Sequence, residues 1–324
     1  MGKGWRTLRR RMLTPHVSAT SLEVRGFHKK DPDSCELLET VGKEFLSGYG
    51  DAVEVNSTAE LKKRLEEVPE QFRGFAYEGA AMGYTVLDGL PVGGRRHLAE
   101  FLAGVGERHV YTAYVGIGWA MARLPRFRWP RVDTFDPLLR WLVLDGYGFH
   151  QAYFHTRRYV YEQFRNDKLF WPARGTGSYQ NRAVDQGIGR AMWFVGGTDA
   201  ERVATMIEKF PVSRRSDLYG GAGLAAAYAG GASEEELRRF RERAGEHRAQ
   251  VAQGAAFAAE ARLHGGVMVP DTELAVEVLC GTTTERAASL TREVRPGRSD
   301  VGDSPAYEIW RRRIADEFVS LGRY

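Results

Sequence analysis

The sequence predicts a mainly all-α fold: an array of about six αα-hairpins, stacked as an α/α solenoid or toroid, with a small mixed arm at its N-terminal end. The first reason is that a Gly-x-Gly or Gly-x-Ala step opens an apolar, helix-compatible run six times. These steps are Gly79-Ala80-Ala81, Gly116-Ile117-Gly118, Gly146-Tyr147-Gly148, Gly187-Ile188-Gly189, Gly221-Ala222-Gly223 and Gly254-Ala255-Ala256. The second is spacing: successive glycines lie 30 to 41 residues apart, the length of a two-helix repeat unit. The third is phase, because small residues recur two and four positions beyond the first glycine, as in Gly79, Ala81 and Gly83 or Gly254, Ala256 and Ala258. Glycine inside a helix costs roughly 1 kcal/mol relative to alanine. Its repetition in phase therefore requires an offsetting gain, which close backbone approach between neighbouring helices would supply.

Residues 1–58 read as an arm or cap. Within them 21–27 alternates loosely, 35–45 has helical spacing through Leu37, Leu38, Val41 and Phe45, and 52–55 reads as a short β-like fragment. Residues 59–281 read as the hairpin body. It begins with a capped helix around residues 58–68, closed by Pro69, and continues through expected helices at 72–87, 95–105, 109–124, 136–143 and 144–155. Further helices are expected at 180–194, 199–209, 217–228, 233–244, 247–263 and 271–279. Thr198-Asp199 ahead of Glu201 is a start signal, and Ser233 followed by Glu234, Glu235 and Glu236 is a capping box with acids at the positive helix end. Two loop-like stretches, 125–137 and 170–180, carry Trp129, Phe170, Trp171 and Tyr179, which are costly to leave in water, and so read as structured crossovers or lids. Residues 282–324 read as a capping tail whose amphipathic helix, 305–318, sets Ile309, Trp310, Ile314 and Phe318 on one side. That helix either caps the array or docks a partner.

The 324 residues carry 46 Lys and Arg against 42 Asp and Glu, a net charge of +4. The runs Arg9-Arg10-Arg11, Arg95-Arg96 and Arg311-Arg312-Arg313 read as solvated helix faces, and without an aromatic-spaced basic stripe no nucleic-acid partner is expected. Cys35 and Cys280 are the only cysteines, with no CxxC and no Cys/His cluster, so neither a disulfide framework nor a metal site is indicated and a reducing cytoplasm fits. Residues 1–11 have no apolar run behind their cations, so no secretory leader is expected. The longest uncharged stretch, 218–233, is shorter than the ~18 residues of a spanning helix, so no membrane insertion is expected.

The position before each repeated glycine holds Glu78, Val115, Asp145, Gln186, Gly220 and Gln253, four of them polar in an apolar setting. In a closed toroid these residues approach a central cavity; in an open array they line a concave face. With His150, His155, Asp185, Arg190 and Glu260 they can form a polar patch. The aromatic residues Tyr77, Tyr84, Trp119, Tyr147, Phe149, Trp193 and Tyr219 would enclose it, an enclosure suited to an extended, hydrophobic, conjugated substrate. The candidate catalytic set is Glu78, Asp145, His150, His155, Asp185, Gln186 and Arg190. The candidate substrate-binding set is the seven aromatics with Gln253. A plainer reading stands beside each. Asp145 and Asp185 can be helix caps, Gln186 and Gln253 can hydrogen-bond between repeats, and His150 can be a satisfied core histidine. His155 follows five residues later, about 140° around a helix, which suits joint metal binding poorly. The pairs Asp145/His150 and Asp185/Arg190 are also five apart, where direct ion pairs prefer three or four. No phosphate-binding loop and no Gly-x-Ser-x-Gly elbow occurs, so nucleotide binding is unsupported and no cofactor is indicated.

The run Asp185-Gln186-Gly187-Ile188-Gly189-Arg190-Ala191-Met192-Trp193-Phe194, with Phe210-Pro211, Arg215, Asp217-Leu218, Gly223-Leu224-Ala225 and Tyr228-Ala229-Gly230-Gly231 after it, resembles the UnbL-like family of bacterial proteins. Residues 75–83 and 146–155 extend the likeness, which spans most of the chain. Some members of that family are encoded in the conserved cassette of enediyne polyketide gene clusters. The resemblance implies a role in forming or processing an enediyne core from a polyene precursor, with the enediyne polyketide synthase or other cassette proteins as partners. It implies no catalytic residues. Two other readings remain: a non-catalytic helical-repeat adaptor for a pathway protein, and a toroid-type cyclase of a polyene or terpenoid, which would lack the family's usual aspartate-rich motif.

Overall fold

A computed structural model describes residues 3–91, 96–169, 171, 179–297 and 304–321. The helices are α1 (Lys3–Leu13), α2 (Leu22–Arg25), α3 (Pro32–Glu54), α4 (Thr58–Glu66), α5 (Glu70–Gly89), α6 (His97–Leu102), α7 (Val110–Arg123) and α8 (Trp141–Phe154). They are followed by α9 (Gln180–Val195), α10 (Ala200–Glu208), α11 (Val212–Ala229), α12 (Glu234–Arg243), α13 (Arg248–His264), α14 (Pro270–Cys280), α15 (Thr284–Glu293) and α16 (Ala306–Ser320). No β-strand occurs among the described residues. Local chemistry fixes many of the ends. Asp31 caps α3 by accepting from the Ser34 amide, with Pro32 in the first turn, and Asp199 caps α10 in the same way from Arg202. The capping box at Ser233 forms as expected.

Seven helices, α3, α5, α7, α8, α9, α11 and α13, pack in sequence as one continuous layer. Shorter helices or turns return the chain across the outside between them. Each crossing in the layer is made at glycine. Gly146 of α8 lies against the Val115 carbonyl of α7, Gly187 of α9 against that of Asp145, Gly221 of α11 against that of Gln186, and Gly254 of α13 against that of Gly220. The second glycine of each step points the other way: Gly118 meets the Val143 carbonyl of the next helix, Gly148 that of Val184, Gly189 that of Leu218 and Gly223 that of Val251. A crossing thus carries two reciprocal contacts, each glycine seated on a backbone carbonyl of its neighbour. A Cβ at Gly187 would lie 1.9 Å from the Asp145 oxygen and at Gly221 1.9 Å from the Gln186 oxygen. Backbone cannot swing aside as a side chain can, so the helices would have to separate.

The layer curls on itself. Arg262, near the end of α13, donates to the Gln71 carbonyl at the start of α5, and the Phe75 ring of α5 packs edge-on against Tyr228 of α11. Lys30, just before α3, reaches Gly231 and Glu236 beyond α11, and the His28 amide donates to the Val195 carbonyl. α16 lies inside the curl, packed on α13 and α15, with Tyr307 and Trp310 against Phe257.

Several expectations are corrected. Residues 52–55 are the last turn of α3 rather than a β-like fragment, because Ala52 and Val53 are buried against α5 beside Gly83. Residues 21–27 hold the short helix α2, ended by Gly26 in the left-handed conformation. The glycine contact also extends to α3, where Gly48 meets the Ala76 carbonyl and Gly79 meets that of Phe45. Residues 136–155 give the single helix α8, and turns precede it. The arginine runs are solvated only in part: Arg11, Arg312 and Arg313 are exposed, but Arg10 joins Arg64 in bonding Asp51 and Glu54, and Arg311 is buried on Asp217. Arg95 and most of the stretch 170–180 lie outside the described residues. In the other stretch Trp129 donates to the Met121 and Leu124 carbonyls, which fixes that crossover.

Replacing Gly187 or Gly221 by alanine is expected to cost at least about 2 kcal/mol in urea unfolding, in the overpacking range. Gly4→Ala on α1, where an added Cβ meets nothing within 4 Å, gains up to about 1 kcal/mol from helix propensity.

Candidate functional site

The glycines set which residues face inward. Positions one before and three and seven after the first glycine share a helix face. They bring Glu78, Met82, Trp119, Arg123, Phe149, Tyr153 and Phe194 around one cavity of about 450 Å³, within the size range of small-molecule sites. Phe45 and Leu46 of α3, Phe75 of α5, and Phe154 and His155 at the end of α8 complete most of its wall. Trp119 is the hub, with ring centroids at 4.8 Å from Phe45, 5.0 Å from Phe149 and 5.5 Å from His150. Pro15, Ala19, Leu46 and the exposed Arg123 and His155 lie where the chamber meets solvent.

Two polar groups line the apolar interior without partners. Glu78 is 2 % exposed, and its Oε2 has no hydrogen-bond partner; the Trp119 indole N–H faces it without closing a bond. Burial pushes its carboxyl up to about 8, against the pull of Arg190 and with added repulsion from Asp145. His150, 6 % exposed, leaves Nδ1 unpartnered. Burial, then the Arg123 charge and His155, hold it down to about 3. At neutral pH the chamber therefore holds a protonated carboxylic acid and a neutral imidazole, a proton donor and a proton acceptor.

Behind the chamber, Arg190 bonds Asp145 across the α8–α9 crossing, both buried, and its guanidinium sits 5.1 Å from the Phe149 ring centroid. Burial raises the Asp145 carboxyl and Arg190 opposes it. Beyond Arg190 a smaller void of about 40 Å³, lined by Tyr228, Glu260 and Tyr307, has room for a water.

Of the expected catalytic set, Glu78, His150 and His155 share the chamber, and Asp145 with Arg190 stands behind it. His155 reaches it because α8 ends at Phe154 and the helical angle no longer applies. Asp185 is elsewhere, in a two-bond pair with Arg214, whose other nitrogen holds the Gln163 carbonyl. Gln186 bonds the Tyr307 hydroxyl, and Gln253 accepts from Arg311, which also bonds Asp217 and Tyr179. Both glutamines are docking points for α16. Of the expected substrate aromatics, Trp119 and Phe149 line the chamber. Tyr77 packs on His109, Tyr84 on His97, Tyr147 on Trp129 and Tyr219 on His247, while Trp193 donates to the Gly230 carbonyl. These five face the outer elements. Phe45, Phe75, Met82, Tyr153, Phe154, Phe194 and Arg123 were absent from the expected set. Four of these seven, Met82, Arg123, Tyr153 and Phe194, lie at steps of four residues from the position before the glycine, the phase of Glu78, a regularity visible in the sequence. No group of three or more His, Cys, Asp or Glu side chains among the described residues is placed to hold a metal, and no described helix is long and apolar enough to cross a membrane.

Unfolded, Glu78 ionises near 4.5, but folded it keeps its proton to about 8. Between these values the unfolded state has lost a proton that the folded state retains, so stability falls as pH rises. His150 acts with the opposite sign, but only below its ordinary 6.5. Between pH 6.5 and 8 the Glu78 effect is therefore unopposed by His150. Wild type should lose on the order of 2 kcal/mol relative to Glu78→Gln across that window, read by urea unfolding; parallel stability curves would contradict the assignment.

No curated protein and no solved structure matches the chain. Residues 4–318 match the family described as protein of unknown function (DUF1702). The match covers the whole glycine-crossed layer and the helix inside it, and the chain belongs to that family.

Proposed function

We propose that the protein encloses an extended, hydrophobic, conjugated chain in the aromatic chamber, as a biosynthetic component acting with an iterative polyketide synthase on a polyene precursor of an enediyne core. The chamber is the observation that carries this reading: apolar walls, tilted and edge-on aromatic rings and two unpartnered polar groups in about 450 Å³. A conjugated chain presents flat π faces to Trp119, Phe149 and Phe154. The protonated Glu78 can give a proton to one carbon of the chain and its carboxylate take one back from another, which moves a double bond along the chain with neither oxidant nor reductant, while the neutral His150 offers a hydrogen-bond acceptor beside it. The enediyne pathway rests on the sequence resemblance alone. An adaptor would need only a groove, and a chamber reaching a buried acid and imidazole favours a small-molecule role over that alternative.

The methyl ester of a conjugated octadecatetraenoic acid should bind the purified protein at micromolar concentration or better and quench Trp119 fluorescence. Ala122→Trp, which fills the chamber from its half-buried rim, should abolish binding while leaving the thermal transition within a few degrees. If the ester does not bind, yet the protein co-purifies stably with a pathway protein, the adaptor reading replaces this one.

A further inference from the structure

The mouth of the chamber differs in charge from its interior. Arg123, the last residue of α7, is exposed, lines the chamber and has no ion pair or hydrogen bond among the described residues. His155, the exposed residue that ends α8, lines it too. Arg25 lies with its guanidinium carbon 5.1 Å from the Phe154 ring centroid, and its buried Nε has no partner. An outer recess of about 360 Å³ shares Tyr153, Phe154 and His155 with the chamber and adds Arg25, Arg157 and Arg158, against one acid, Glu162. Glu162 is taken by Arg157. Glu39 is the nearby acid on α3, and its carboxylate accepts from the Leu22 amide.

Lone cations at the rim of an apolar cavity raise the local potential where a ligand enters. The partial negative charge at the C-terminal ends of α7 and α8 opposes this, but it amounts to about half a charge each, fewer than the arginines around it. We infer that the chamber takes its chain as a carboxylic acid, the chain inside and the carboxylate at the mouth, held by Arg123 with His155 beside it. A planar guanidinium matches a carboxylate by two parallel hydrogen bonds. Because Arg123 lines the chamber itself, the anion sits directly on the end of the chain. The inference rests on the chamber as the binding site and adds the chemistry of the ligand's head.

The test compares a conjugated octadecatetraenoic acid with its methyl ester, followed by probe fluorescence at pH 8. The acid should bind about tenfold or more tightly than the ester, a difference of about 1.4 kcal/mol. Arg123→Gln should bring the ratio of acid to ester affinity, both measured in the variant, close to one, and raising NaCl to about 0.5 M should weaken the acid alone. Equal affinities for acid and ester, or an acid affinity that Arg123→Gln does not change, would overturn the carboxylate site and leave the chamber standing. Failure of both probes to bind would overturn the chamber reading together with it.

Discussion

The structure depends on the contact of a glycine Cα with a backbone carbonyl of the neighbouring helix. Five of the six crossings in the layer make it twice, once in each direction; the α5–α7 crossing makes it once, with Gly116 on the Glu78 carbonyl and Ala81 beside it. Such a contact fixes more than distance. A pair of reciprocal contacts sets the register of each helix against the next, so the direction in which every side chain points follows from where the glycines are. The conformational cost of several helical glycines is offset by dispersion between backbones that no side chain holds apart.

From that constraint the chamber follows. The inward positions fall four residues apart, and the sequence fills them with large rings on α7 and α8, with Met82 on α5, and with Arg190 then Phe194 on α9. The chamber is open where the rings end and closed behind by the Asp145–Arg190 pair. Buried ion pairs recur in this protein: Asp145–Arg190, Asp185–Arg214 and Asp217–Arg311 each join elements distant in sequence. Desolvation makes such pairs weak contributors to stability, but breaking one leaves an uncompensated buried charge. Their effect here is positional. Arg214 ties the turn at Gln163 to α9 and α11, and Arg311 holds α16 inside the curl, where it fills the part of the concave face that the chamber does not use.

The glycine phase made the layer legible in the sequence, since a helix-breaking cost repeated in register has few physical explanations. It also pointed to the residue before each glycine as inward-facing, which holds for Glu78 and Asp145. The aromatic wall was less legible because large rings occur on both faces. Tyr77 and Tyr219 lie two before a glycine, and Tyr147 and Tyr84 one and five after, which turns them outward against return segments. Gln186 and Gln253 share the inward phase, but their partners, Tyr307 and Arg311, come from a helix whose docking no local pattern encodes. The third arginine run looked solvated for the same reason: its first member meets an aspartate 94 residues away.

The central claim is that glycine crossings hold open an apolar chamber bounded by Trp119, Phe149 and Phe194, with Glu78 in its wall. A crystal structure of the protein under xenon pressure tests it most directly, because xenon settles in apolar cavities of this kind. The account predicts xenon density against the Trp119 and Phe149 rings, with Gly146 and Gly187 still seated on the Val115 and Asp145 carbonyls. Rings collapsed into the space with no xenon bound, or helices separated at those glycines, would contradict it.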